Sequence, residues 1–267
     1  MRIPIITYHH VLPSDAKVDD SILNSPFTIS DSEFYKQMLF LSQNDYEAIN
    51  LEQLMHRKEK QTYKRLIVIT FDDGWVDNFE YAFPILKSFN VPATFFVITS
   101  YIGSAGCMSQ DQLLEMQQSG MQIESHAHTH TPLELLSNSE IQWEVTHSKK
   151  LLEKNLEKQV KFMSFPHGSY NKTVLQTVKS SNYSGCGTSN FGYAVSSTKM
   201  HELPRILIRK NHDISQFGKL AEGGTLTFFK GSIIQKSKGL IKNTIGIERY
   251  QNLYNIRNRI KRTSAID

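Results

Sequence analysis

The sequence predicts an α/β fold in which a largely parallel sheet is covered by helices. Three observations carry that expectation. Apolar runs of strand length alternate with stretches whose apolar residues recur at helical spacing. The helical stretches open on capping side chains. No glycine-rich G-x-G-x-x-G or Walker-type loop follows any strand, which removes the usual reason to prefer an open nucleotide-binding sheet. Alternation alone leaves two architectures available, an open doubly wound sheet and a closed barrel.

The elements follow in order. Ile3–Tyr8 reads as a first strand that begins almost at Met1. Ser30-Asp31-Ser32-Glu33 has the form of a capping box, and Phe34, Met38 and Leu41 follow at helical spacing. Residues 66–70 form a buried strand, then Phe79, Phe83 and Leu86 mark a helix interrupted or restarted at Pro84. Residues 92–98 are the next strand. Ser109 with Gln112 opens a helix that Gly120 is placed to close. Residues 121–124 are a strand, and Ser137 with Glu140 caps a helix carrying Ile141, Val145 and Leu152 on one face. Residues 162–165, 183–188 and 206–208 supply further strands, with a helix over 172–178.

The composition is that of a globular chain: of 267 residues, 39% are hydrophobic, 21% charged and 10% aromatic, which excludes general disorder, collagen-like repeats and a disulfide scaffold. The two cysteines, Cys107 and Cys186, have no pairing logic and read as buried free thiols. Net charge is +4, but residues 230–267 hold nine Lys/Arg and two Asp/Glu, leaving 21 basic and 24 acidic residues elsewhere. The basicity belongs to the tail, so no nucleic-acid partner is expected. The expected division is a domain over 1–222 and a basic, partly helical extension over 223–267. A solvated helical surface accounts for the tail's charge, with peripheral contact to an anionic membrane as the alternative. No apolar run reaches the roughly 20 residues of a membrane span, and Ile-Pro-Ile-Ile is too short for a signal core, so a cytoplasmic protein is expected. Oligomeric state has no signature in the sequence.

Two constellations carry chemistry. Thr70-Phe71-Asp72-Asp73-Gly74-Trp75 puts adjacent carboxylates where a buried strand ends, the edge on which parallel α/β folds build active sites. One carboxylate can bind a metal while its neighbour acts on substrate; an ordinary Asp-Asp-Gly turn is the competing explanation. Glu124-Ser125-His126-Ala127-His128-Thr129-His130 places three of the ten histidines in five residues after another strand. His126 and His130 share a side in a helical turn, whereas His126 and His128 share one in an extended segment. Asp73, His126 and His130 would supply the three protein ligands usual in a catalytic zinc site.

Together these motifs resemble the polysaccharide deacetylases of carbohydrate esterase family four. Phe165-Pro166-His167-Gly168-Ser169-Tyr170 is similar to that family's Pro-aromatic-Gly loop, and Leu203-Pro204-Arg205-Ile206 resembles a strand near the end of its domain. Tyr8-His9-His10-Val11 also matches, and the whole looks most like the branch containing the poly-N-acetylglucosamine deacetylases. The resemblance spans residues 3–220 or so and implies a (β/α) barrel of the NodB type, distorted from the regular eight-stranded kind and built of about seven strands. It implies a hydrolase acting on carbon–nitrogen bonds other than peptide bonds, which removes the acetyl group from an acetylated sugar in a glycan or polysaccharide. It implies one divalent metal held by Asp73, His126 and His130, with zinc expected and cobalt, nickel or iron acceptable to the same donors. By the same resemblance Asp72 is the general base, His9 the general acid and Arg205 the group that tunes Asp72. Pro166, His167 and Gly168 line the oxyanion. Trp75 and Tyr170 can offer flat faces to sugar rings, with simple packing as the alternative.

The chain departs from the family pattern at His167, where an aromatic residue is usual, and at Ser164-Phe165, where many members carry an arginine. It also lacks a Leu-x-His motif near the end of the domain, which places the acid's role on His9, with His10 and His212 as rivals. Two other readings follow: an amide or ester hydrolase using His126 with His128, and a non-catalytic carbohydrate-binding relative.

Overall fold

The computed structural model describes residues 2–56 and 65–224. The strands are β1 (Ile3–Tyr8), β2 (His10–Leu12), β3 (Thr28–Ser30), β4 (Tyr46–Ile49), β5 (Arg65–Phe71), β6 (Ala93–Val97), β7 (Gln122–Ser125), β8 (Phe162–Ser164), β9 (Gly185–Gly187), β10 (Tyr193–Ala194) and β11 (Ile206–Leu207). The α-helices are α1 (Asp20–Leu23), α2 (Asp31–Gln43), α3 (Leu51–Met55), α4 (Phe83–Ser88), α5 (Gln110–Gln118), α6 (Asn138–Leu156), α7 (Lys172–Ser180) and α8 (Ile214–Glu222). The expected basic extension lies outside the described residues, apart from its first two. Among the described residues no helix is long and apolar enough to cross a membrane.

The main sheet runs β10-β1-β5-β6-β7-β8-β9, and every neighbour on that path from β1 to β9 is parallel. The capping signals are realised: Ser109 and Ser137 form reciprocal boxes with Gln112 and Glu140, and Ser30 accepts from Glu33 N. Pro84 falls in the first turn of α4, after a five-residue π-helical stretch (Asn78–Ala82), so the helix restarts there. Cys107 and Cys186 are buried and free.

A single segment draws the two ends of the sheet together. Leu203 bridges to Gly187 of β9, and two residues past Pro204 the same segment becomes β11, which pairs with β1. The curled sheet is thereby a distorted barrel, and Arg205 lies at the middle of the closing segment.

Alternation along the strands decides what reaches the site. Ile3 and Ile5 of β1, Leu66 and Val68 of β5, Phe96 of β6 and Phe162 of β8 belong to one buried apolar cluster. Towards the C-terminal ends the same alternation turns polar. Thr7 hydrogen-bonds Thr70 at 3.0 Å, and Thr94 donates to Gln122, which donates to Glu124. Burial pushes the Glu124 carboxyl up to about 8, against three donors: Gln122 and the Lys161 and Phe162 N–H groups. Two residues further on each strand come His9 after Thr7, Asp72 after Thr70 and His126 after Glu124. On the other side of β5, Phe71 stacks on Phe95 at 4.6 Å and on Tyr8 at 5.3 Å, and Phe34 of α2 meets both Phe71 and Tyr8 edge-on. These rings anchor the strand ends that carry Asp72.

Candidate active site

Asp72 and Arg205 form the centre of the site. Both are 4% exposed, and the guanidinium grips the carboxylate with two parallel bonds, Nη1 to Oδ1 and Nη2 to Oδ2, each 2.8 Å. Arg205 Nε donates to Thr188 O at 2.9 Å, which fixes the plane of the fork. Ser164 joins them: its hydroxyl accepts from Arg205 Nη2 at 2.7 Å and donates to Asp72 Oδ2 at 3.2 Å. Burial alone would raise the Asp72 carboxyl; the guanidinium, with His126 and His9 nearby, outweighs it and holds Asp72 below the ordinary carboxylate range. A carboxylate has about four lone-pair positions, and three are taken, so one on Oδ1 is left to receive a proton.

Beside it, Asp73 turns the other way. Its φ of 77° is left-handed, so consecutive carboxylates diverge at the strand end. Asp73 Oδ1 is buried without a hydrogen-bond partner, and lies 3.4 Å from both His126 Nε2 and His130 Nε2. The three donor atoms lie within 4.8 Å of one another. His126 Nδ1 is 2.9 Å from Ser164 O, which can only accept, so the ring nitrogen left toward Asp73 is Nε2. One orphaned carboxylate oxygen facing two imidazole nitrogens fits a divalent ion of the zinc type. The field agrees. Burial disfavours charge on His126, yet Asp72 and Asp73 raise its affinity for a proton, and the same negative field draws a cation. Burial, reinforced by His126, pulls His130 down to about 3, which keeps it a neutral donor.

The loop that delivers the two histidines is strained and clamped. Ala127 and His130 have φ of 62° and 63°, so the segment is neither a helical turn nor an extended strand. Glu144 of α6 accepts from His128 N, Thr129 N and the Thr129 hydroxyl at 2.8, 3.0 and 2.6 Å. In this loop His128 points elsewhere: its Nδ1 meets Thr99 Oγ1 at 2.8 Å and its ring packs on Trp143 and His147. The pairing of His126 with His128 is therefore not the one the fold assembles.

His9 has its Nδ1 buried without a hydrogen-bond partner, and its ring stacks on Phe27 at 5.2 Å. Burial lowers its proton affinity, while Asp73 and Asp72 act against that. The rival His10 is committed elsewhere, its Nδ1 bonded to the buried Asp77 at 2.6 Å. His212 Nδ1 accepts from Arg209 N at 3.3 Å within its own loop. Trp75 is engaged on one face by His10, with ring centroids 4.6 Å apart, and its indole N–H donates to Asp73 Oδ2 at 3.0 Å. Tyr170 stacks on buried Phe165, and its hydroxyl meets Asn190 and Glu202. His167 is exposed, left-handed at φ 57°, with its ring 4.4 Å from that of His130.

Gly168 shows how closely this loop is seated. Its φ is 66°, and a Cβ there would come within 2.5 Å of the Ser189 side chain. Gly168→Ala is expected to cost about 1–3 kcal/mol of stability, read as a lowered thermal midpoint. An unchanged midpoint would mean that Ser189 gives way freely. Ser164, Glu144 and Asp77 are the structural participants that sequence reasoning missed.

A parallel barrel that gathers an Arg-locked carboxylate and a carboxylate–imidazole–imidazole cluster at its C-terminal strand ends defines an enzyme of the barrel hydrolase class. The particular family follows from comparison with known proteins. A family model described as polysaccharide deacetylase matches residues 59–186. YxkH of Bacillus subtilis, named for a polysaccharide deacetylase, is 30% identical over 223 residues, which are 83% of this chain and 76% of that protein. The poly-beta-1,6-N-acetyl-D-glucosamine N-deacetylase of Staphylococcus epidermidis is 29% identical over 76% of this chain and 78% of its own. The deacetylase PplD of Streptococcus pyogenes, solved in complex with acetate, superposes with a TM-score of 0.76 at 29% identity, covering 83% of this chain and 98% of that one. This chain belongs to the polysaccharide deacetylase family.

Proposed function

We propose that the protein hydrolyses the acetamido group of an N-acetylated sugar in a polysaccharide or glycan intermediate, releasing acetate and the free amine. The observation that carries this reading is the three-donor cluster of Asp73, His126 and His130 directly beside an Arg-locked Asp72. The relatives named as poly-beta-1,6-N-acetyl-D-glucosamine N-deacetylases make a polymer of N-acetylglucosamine the first substrate class to test.

Asp73, His126 and His130 would hold one divalent ion, with zinc expected. When bound, such an ion supplies Lewis acidity, lowering the pKa of water from about 15.7 toward ~7 and polarising a carbonyl oxygen. The remaining work falls to the chain. Asp72 takes a proton from the attacking water through its open Oδ1 position, and Arg205 keeps it ionised until then. The water oxygen bonds to the acetyl carbon, and the carbonyl oxygen gathers negative charge. The Pro166-His167-Gly168 loop, which lies beside His130, would supply a backbone N–H to that charge. His9 delivers a proton to the sugar nitrogen as the C–N bond breaks, because an amide anion is too poor a leaving group to depart unprotonated.

The test is acetate release from N-acetylglucosamine oligomers and polymers by zinc-loaded protein, with and without a chelator. Acetate that disappears on chelation and returns with added zinc is the expected result. Chelator-resistant release, or none from any acetylated glycan by metal-loaded protein, would overturn the reading.

A further inference from the structure

The Asp73 carboxylate is held from behind by residues that the mechanism does not use. Among the described residues its one hydrogen bond is from the indole of Trp75, to Oδ2. That bond leaves Oδ1 turned toward His126 and His130. The indole is itself fixed on two sides. Its backbone forms an isolated antiparallel bridge with Cys107, with Val76 N donating to Gly106 O and Met108 N to Gly74 O. Its ring rests on His10, centroids 4.6 Å apart and planes 27° apart. His10 in turn cannot rotate without breaking its 2.6 Å bond to Asp77. Asp77 is anchored by Val11 N at 3.0 Å and Asn78 Nδ2 at 2.7 Å on its other oxygen. Both His10 and Asp77 are buried, at 8% and 6% exposure, so water does not readily replace either partner.

We propose that Asp77, His10 and Trp75 form a supporting chain that orients the Asp73 carboxylate and thereby sets the affinity of the site for its metal. The inference rests on the reading of Asp73, His126 and His130 as the metal site. It assigns Trp75 as a positioning residue, with the indole N–H as its working part. Asp77, which is not among the candidate ligands, acts through the ring contact between His10 and Trp75. Partners that fix a ligand's orientation typically change metal affinity by about 10–100-fold when removed.

The test measures zinc dissociation constants by competition with a chromogenic chelator, for the wild type, Trp75→Phe, Asp77→Asn and the double variant, at a temperature where circular dichroism shows each folded. Phenylalanine keeps the ring on His10 and removes the N–H, so Trp75→Phe is the mild variant and is decisive by itself if Asp77→Asn fails to fold. Zinc binding about 10-fold or more weaker in Trp75→Phe is expected. Asp77→Asn should shift affinity in the same direction by less, and the double variant should match Trp75→Phe, because the two residues act in series. Unchanged zinc affinity in Trp75→Phe would overturn the proposal. So would wild-type affinity in Asp77→Asn, or a double variant whose loss is the product of the two single losses. Unchanged affinity with a raised KM for glycan would make Trp75 a sugar platform instead. A wild type that binds no zinc at Asp73, His126 and His130 would remove the metal-site reading itself, and this inference with it.

Discussion

Asp72→Asn protein is expected to bind zinc as the wild type does and to lose about 10³-fold in turnover, within the 10²–10⁴ usual for removal of a general base. The two halves of the expectation have separate causes. The cluster donors belong to Asp73, His126 and His130, which an amide at position 72 leaves in place. The lost step is proton removal: asparagine has the shape of aspartate and no basic oxygen at neutral pH. The variant carries a second change, because its amide NH₂ must face one arm of the Arg205 fork, where donor meets donor. Some stability is lost for that reason, so rates are compared per zinc-loaded, folded molecule well below the thermal midpoint. Turnover within a few-fold of the wild type at full zinc occupancy would remove Asp72 from the role of base. Loss of zinc together with turnover would mean that positions 72 and 73 have been assigned in the wrong order.

The strand that carries Asp72 and Asp73 was legible because β5 is an apolar run with a charged pair directly after it. The motif before Gly74 ends a strand pairing on both edges, and the structure puts it there. What the sequence hid depends on geometry that residue spacing does not encode. Both His126/His128 and His126/His130 satisfy a regular period, one extended and one helical. The fold selects the second set by a route that uses neither, through left-handed backbone at Ala127 and His130. Glu144 reads as one more polar residue on α6, and Asp77 as an ordinary acid near a helix start. Each gains its role because the barrel's curvature brings a distant backbone within hydrogen-bond reach. The short edge strands β3, β4 and β10 escaped notice for a related reason. At two to four residues they are too brief for alternation to show, and their partners hold them in place.

Arg205 is the residue whose removal should cost the fold most, and the pattern of loss is diagnostic. A buried ion pair is poor evidence of net stability, since desolvating both charges offsets most of their attraction. Breaking one side is another matter. Arg205→Met strands the Asp72 carboxylate at 4% exposure with Ser164 as its remaining side-chain partner, and removes one of the bonds between the closing segment and Thr188. The expected loss is about 3–5 kcal/mol, measured by chemical denaturation. The stranded carboxylate should also hold its proton more tightly, because the guanidinium that opposes burial is gone. Turnover should therefore fall at neutral pH even where the protein is folded. Combining Arg205→Met with Asp72→Asn removes the uncompensated charge, so the double variant should be more stable than Arg205→Met alone. If the double variant were less stable than either single one, the pair would matter to the fold through packing, and its electrostatic role in holding Asp72 ionised would lose its support.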